Sequence, residues 1–124
     1  MKVRDLMRNI PRHTTAAESL ASAGRTMADA GVGVLPVVDA DHRVVAVITD
    51  RDVCCAVARD NRRPSELRVA EVASSPPWVC EAGDELAMAL ATMRAHAVRR
   101  LPVVDAFDHL EGEAIKRAGA IEHG

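Results

Sequence analysis

Apolar positions along the chain fall into two kinds of run. Leu20, Ala23, Met27 and Ala30 recur at helical spacing. They follow Thr15-Ala-Ala-Glu18, which reads as a capping box with Thr15 as N-cap and Glu18 reaching back. Gly31 is a natural C-terminal stop for this helix. The run Val-Leu-Pro-Val-Val at 34–38 is short and β-branched, and predicts a buried strand. Its Pro36 has no N–H to donate, so it needs an edge or an irregular position. Residues 39–42 predict a turn. Residues 44–48 show no polar alternation and predict a second strand, buried on both faces. Asp50 to Asp60 then reads as a helix with Val53, Ala56 and Val57 inward. The predicted order is short strand, helix, strand, strand, helix.

The pattern repeats. Residues 3–40 align with residues 69–106 at a constant offset of 66, without a gap, and 15 of the 38 positions are identical. Both copies carry Leu-Pro-Val-Val-Asp-Ala, at 35–40 and at 101–106. Two copies in a chain this short predict half-units that share one globule. Residues 1–60 form the first repeat, the polar stretch 61–68 with Pro64 a linker, and residues 69–124 the second repeat, incomplete after about 106.

Composition narrows the function classes. The chain has 124 residues, 48% of them apolar and 27% charged, the mix of a globular protein. Sixteen basic residues against 18 acidic ones leave a net charge of -2, which argues against nucleic acid as a partner. No apolar run reaches the length of a membrane span, and the first residues do not read as a signal peptide. A cytoplasmic location without a membrane partner is expected. Cys54, Cys55 and Cys80 make a poor disulfide framework. The five histidines are scattered, so no metal site is expected. There is no nucleophile–base pair and no glycine-rich phosphate loop, since Gly31-Val-Gly33 lacks the spacing that should follow. An enzyme is therefore not expected.

The run from Gly31 to Val53, with Leu-Pro-Val-Val-Asp, a second apolar strand and then Thr49-Asp-Arg-Asp52, resembles a CBS domain. The two copies resemble the paired arrangement known as a Bateman module. The resemblance implies an α/β (α+β) fold of two β-α-β-β-α repeats packed as one module. It also implies a stand-alone regulatory or sensor role, with an adenosyl ligand (AMP, ATP or related) in the cleft between repeats and a regulated partner protein. By resemblance, Asp52 would bond the ribose hydroxyls and Thr49 would lie near the first phosphate. A carboxylate accepts from two vicinal hydroxyls, and a helix N-terminus offers N–H groups to a phosphate. Thr49-x-x-Asp52 is equally a helix cap, and the two roles use the same end of the helix. The adenine would lie against Val32, Val34 and Pro36, whose small apolar side chains suit core packing as well. Arg99 and Arg100, just before Leu101-Pro102, stand where relatives carry a phosphate-facing base; a solvated surface pair is the plainer reading. Trp78, a lone tryptophan before an apolar run, reads as a core or interface anchor.

The second copy departs from this pattern. The offset puts Ile115 opposite Thr49 and Ala118 opposite Asp52, so a second site of the same kind is not expected. Leu-Glu-Gly-Glu-Ala replaces the apolar run at 44–48. Leu110, Ala114, Ala118 and Ile121 recur at helical spacing, and Asp108 with Glu111 would cap such a helix. A helical tail from Asp108 is expected in place of a strand. The sheet edge it leaves open would need a cover, from the tail or from a second chain, and a homodimer is the expected assembly. The alternative function is a protein-interaction or dimerisation module without a ligand.

Overall fold

The computed structural model describes residues 1–9 and 12–116. In chain order the elements are β1 (Met7–Arg8), β2 (Thr14–Thr15), α1 (Leu20–Ala30), β3 (Val34–Val38), β4 (Val44–Thr49), α2 (Asp50–Asp60), α3 (Val69–Val72), β5 (Cys80–Glu81), α4 (Leu86–His96), β6 (Arg100–Val104) and β7 (Leu110–Ile115). They divide into two compact units: Arg12–Pro77, and Met1–Pro11 with Trp78–Gly124. Each unit thus takes in a short segment that opens the other repeat: residues 1–11 join most of the second repeat, and residues 69–77 join most of the first.

In the unit Arg12–Pro77 a three-stranded sheet runs β2-β3-β4, with β2 parallel and β4 antiparallel to β3. Leu20, Ala23 and Met27 of α1 pack with Leu35, Val37 and Ile48 of the sheet in one apolar cluster. Leu67 and Val69 belong to the same cluster, and Leu67 is 1% exposed although it ends a polar stretch. Full burial of a Leu contributes about 1.5–3 kcal/mol relative to leaving it in water, so this segment is tied down. Pro36 sits opposite Val47. Val47 gives its own N–H and carbonyl to Ser74, at 3.1 and 2.8 Å, so this pair needs no donor from Pro36. Val45 is 41% exposed, so β4 is buried on one face and partly open on the other, not buried on both.

Helix α1 starts later than its sequence signal. Ser19 is the N-cap, its hydroxyl accepting from Ser22 N at 3.1 Å. Thr15 instead closes a turn: Glu18 accepts from Thr15 N at 3.0 Å and from the Thr14 hydroxyl at 2.7 Å. The hydroxyl of Thr14 is the largest influence holding the Glu18 carboxyl below its ordinary pKa. Gly31 ends the helix with φ 67, the left-handed geometry that suits glycine.

The other unit repeats this plan in a four-stranded sheet, β1-β7-β6-β5. Val3, Leu86, Ala89, Met93, Leu101, Val103 and Ala114 form its core. Cys80 is buried there, and desolvation pushes its thiol up to about 12. Trp78 packs partly buried against this core and stacks on His96, ring centroids 4.4 Å apart.

The tail from Asp108 is a strand, not a helix, over the described residues. Residues 110–115 pair antiparallel with β6, from Val104↔Leu110 to Arg100↔Ile115. Leu110, Gly112 and Ala114 point inward, with Glu111 exposed and Glu113 half-buried between them. A spacing of four residues satisfies a period of two as readily as a helical turn, so Leu110 and Ala114 fit both. Gly112 decides between them: a Cβ there would meet the carbonyl oxygen of Arg8 and, at 2.8 Å, Met7 Cε. Glycine admits β1, which pairs antiparallel with β7 through Met7↔Ala114 and Arg8↔Glu113. The edge expected to await a tail helix or a second chain is covered by this unit's own first residues. Asp108 is no N-cap but a turn residue with φ 68. Ala118 and Ile121 lie outside the described residues.

Candidate functional site

The start of α2 is built by sheet register. Thr49 ends β4 directly opposite Val34, the first residue of β3. The carbonyl of Gly33 accepts from Asp50 N at 3.0 Å, which fixes residues 32–34 against the helix start. Thr49 and Asp52 then close on each other. The Thr49 hydroxyl accepts from Asp52 N at 3.0 Å, and Asp52 Oδ2 accepts from Thr49 N at 2.9 Å. This reciprocal pair satisfies two N–H groups that a helix N-terminus leaves open. Arg51 N donates to Asp50 Oδ1 at 2.8 Å. The N–H groups of Asp50, Arg51 and Asp52 therefore all have protein acceptors, and two of the three residues are acidic.

Beside this corner lies a cavity of about 230 Å³ lined by Gly24, Met27 and Ala28 of α1, Val32, and Asp50 and Val53 of α2. Of the residues singled out in the sequence, Val32 lines it, while Thr49 and Asp52 stand at the start of the same helix. Val34 and Pro36 are buried in β3. Asp50 is the lining residue that carries charge, and motif spacing passed over it because it lies between Thr49 and Asp52. Met27 was legible as part of a helix face, whereas Gly24 and Ala28 carried no signal of their own in the sequence. Gly33 faces the Asp50 carboxylate: a Cβ on it would be in ordinary contact with Oδ2, at 3.4 Å.

Arg99 and Arg100 lie in the other unit. Arg99 is exposed, and its carbonyl accepts from Lys116 N at 2.8 Å, the counterpart of the Gly33–Asp50 bond. Arg100 Nη1 is 2.7 Å from Glu113 Oε1, with both side chains largely shielded. Ile115 ends β7 where Thr49 ends β4, and Ala118 lies outside the described residues. Among the described residues there is no cluster of three or more metal-ligating side chains, and no helix is long and apolar enough to cross a membrane.

Comparison with known proteins agrees with this architecture. The CBS domain family model matches residues 3–59 and 69–113. A homoserine O-acetyltransferase from Methanocorpusculum labreanum is 30% identical over 112 residues, which is 90% of this chain and 22% of that protein. The chain thus spans about a fifth of that relative's length. A CBS domain protein from Pyrobaculum aerophilum, complexed with AMP, superposes with a TM-score of 0.81 at 24% identity, over 93% of this chain and 87% of that one. The CBS domain pair of a protein designated MJ0100, in complex with 5′-methylthioadenosine and S-adenosyl-L-methionine, superposes with a TM-score of 0.78 at 20% identity, over 93% and 89% of the two chains. With both repeats matched by the family model, the chain belongs to the CBS domain family, as a pair of CBS repeats.

Proposed function

We propose that the chain is a regulatory module that binds an adenosyl ligand at the start of α2. The observation that carries this reading is the junction of Thr49, Asp52 and residues 32–34, held by the Asp50–Gly33 bond beside an apolar cavity. Asp52 takes the ribose: one carboxylate oxygen serves the cap and the other accepts from the vicinal hydroxyls. Val32, Val34 and Pro36 offer small apolar surface and backbone groups to the base. The ligand complexes of the two structural neighbours support an adenosyl group as the ligand. No bond is made or broken in this role; the ligand stabilises the fold and the folded state reports its concentration.

The test is a thermal-shift panel of AMP, ATP, NAD and S-adenosylmethionine, followed by calorimetry on Asp52→Ala and Asp52→Asn. Binding by at least one ligand, lost in Asp52→Ala with the fold retained, is the expected result. A flat panel would favour the second reading, an interaction module without a ligand. The reciprocal Thr49–Asp52 cap supports that alternative, because it satisfies both residues without any ligand.

A further inference from the structure

We propose that His13 and His42 form a binding site for a divalent transition ion of the zinc type on the unit Arg12–Pro77. The two histidines lie far apart in sequence, and no ligand spacing joins them. The fold brings them together. His13 immediately precedes β2, and His42 stands in the turn between β3 and β4. Their ring centroids are 5.1 Å apart, with the planes at 89°. Two imidazoles on one tetrahedral ion, each nitrogen about 2.0–2.1 Å from it, have ring centres about 5.2 Å apart. Edge-to-face packing alone gives a similar distance, but here both side chains are exposed. Among the described residues neither ring is hydrogen-bonded to the protein. The other described histidines are engaged: His96 stacks on Trp78, and His109 Nδ1 lies 3.0 Å from Asp105 Oδ2.

The second repeat is an internal control. The offset of 66 puts Val79 opposite His13 and Asp108 opposite His42. His42 and Asp108 share the left-handed backbone of their turns, with φ 64 and 68. The same turn is therefore built with aspartate, and the same approach to the short parallel strand with valine. Neither imidazole is demanded by the scaffold. Imidazole nitrogen suits zinc, copper and nickel. Two protein ligands leave two tetrahedral positions to water, so the ion is held exchangeably, whereas a structural site closes all four. Glu18 lies near enough for its carboxyl to feel the His13 charge, but its oxygens serve Thr14, Thr15 and Ser22. Arg12 and Arg43 flank the pair in sequence and oppose a cation. Affinity therefore comes from the two nitrogens acting together, the second bond being intramolecular once the first has formed.

The experiment is titration calorimetry of the full chain with zinc chloride at about pH 7.5, where imidazole is free to ligate. A Cys54→Ser, Cys55→Ser background removes the two exposed thiols as competing ligands. One ion per chain is expected. His13→Val and His42→Asn should each weaken it at least about tenfold, because either one ends the chelation. Valine is the second repeat's own residue at that place, and asparagine accepts the left-handed backbone. Substoichiometric copper(II) should broaden the ring NMR signals of His13 and His42 together, before those of His96 and His109. Absence of zinc binding up to about 1 mM, the weak end of specific affinities, would overturn the site. So would binding that survives both substitutions, or that falls in only one of them. If a variant does not fold, the copper broadening decides, and broadening that spares either His13 or His42 sinks the pair.

Discussion

Ser74 exchanges both backbone hydrogen bonds with Val47, closing the open side of β4. Add the repeat offset of 66 to Val47 and remove it from Ser74, and the partners become Glu113 and Arg8, which are paired on β7 and β1. The same edge is therefore closed in the same register in both units. In each case the closing residues come from the start of the other repeat.

Gly112→Val tests that closure in the second unit. A side chain at 112 must displace Arg8 and Met7 from β7. Overpacking of this kind costs about 1–3 kcal/mol. Urea denaturation should show a lower midpoint, and hydrogen exchange should show residues 7–8 losing protection. Unaltered protection there would mean that β1 does not depend on the gap at Gly112.

Glu18 predicts an acid-sensitive turn. Its carboxyl is held below the ordinary value, chiefly by the Thr14 hydroxyl. A carboxyl whose folded pKa is depressed binds its proton more readily when unfolded. Its stabilisation is therefore complete above the ordinary carboxylate value and fades as pH falls through the folded value. Stability measured from pH 7 down to pH 3 should decline less steeply in Glu18→Gln than in the wild type. Parallel profiles would exclude Glu18 from the acid response.

Arg100 and Glu113 form a shielded ion pair across β6 and β7, with side chains 24% and 18% exposed. A double-mutant cycle on Arg100→Ala and Glu113→Ala should give a coupling of about 1 kcal/mol. The coupling should shrink little in 0.5 M salt, because partly buried pairs are screened less than exposed ones. A coupling near zero would show that Arg100 is held by packing alone.

Trp78 is the chain's sole tryptophan, so its fluorescence reports one place. The His96 ring covers one face of it in a near-parallel stack, 9° between planes. His96→Ala should brighten or shift the emission and raise acrylamide quenching, with little change in unfolding midpoint. An unchanged quenching constant would mean that the stack does not shield the indole.

Much of this arrangement was legible in the sequence because local spacing and the repeat pointed the same way. Leu20, Ala23 and Met27 are buried on one helix face, Gly31 takes the left-handed cap, and the run at 34–38 is a buried strand. The errors arose where one pattern served two structures. Leu110 and Ala114 fit both a helix and a strand, and the deciding contact, between Gly112 and Arg8, spans a separation that no local window contains. Thr15 and Ser19 both precede helical spacing, and the turn through Glu18 left Ser19 as the cap. At the site, Thr49 and Asp52 stood out by motif. Asp50 did not, since its role follows from facing Gly33 and the cavity.

The crossed contributions of the two short segments have a consequence for synthesis on the ribosome. The unit Arg12–Pro77 is continuous, and all its parts are available once residue 77 has left the exit tunnel. The other unit joins the first of the described strands to the last of them, since β1 pairs with β7. Met7 and Arg8 must wait for roughly a hundred further residues, about 5–20 s at ordinary elongation rates. During that interval the nascent chain carries Val3 and Leu6 without the core that later buries or packs against them. The second unit can close only after β7 has been made, whereas every part of the first is available once residue 77 has emerged.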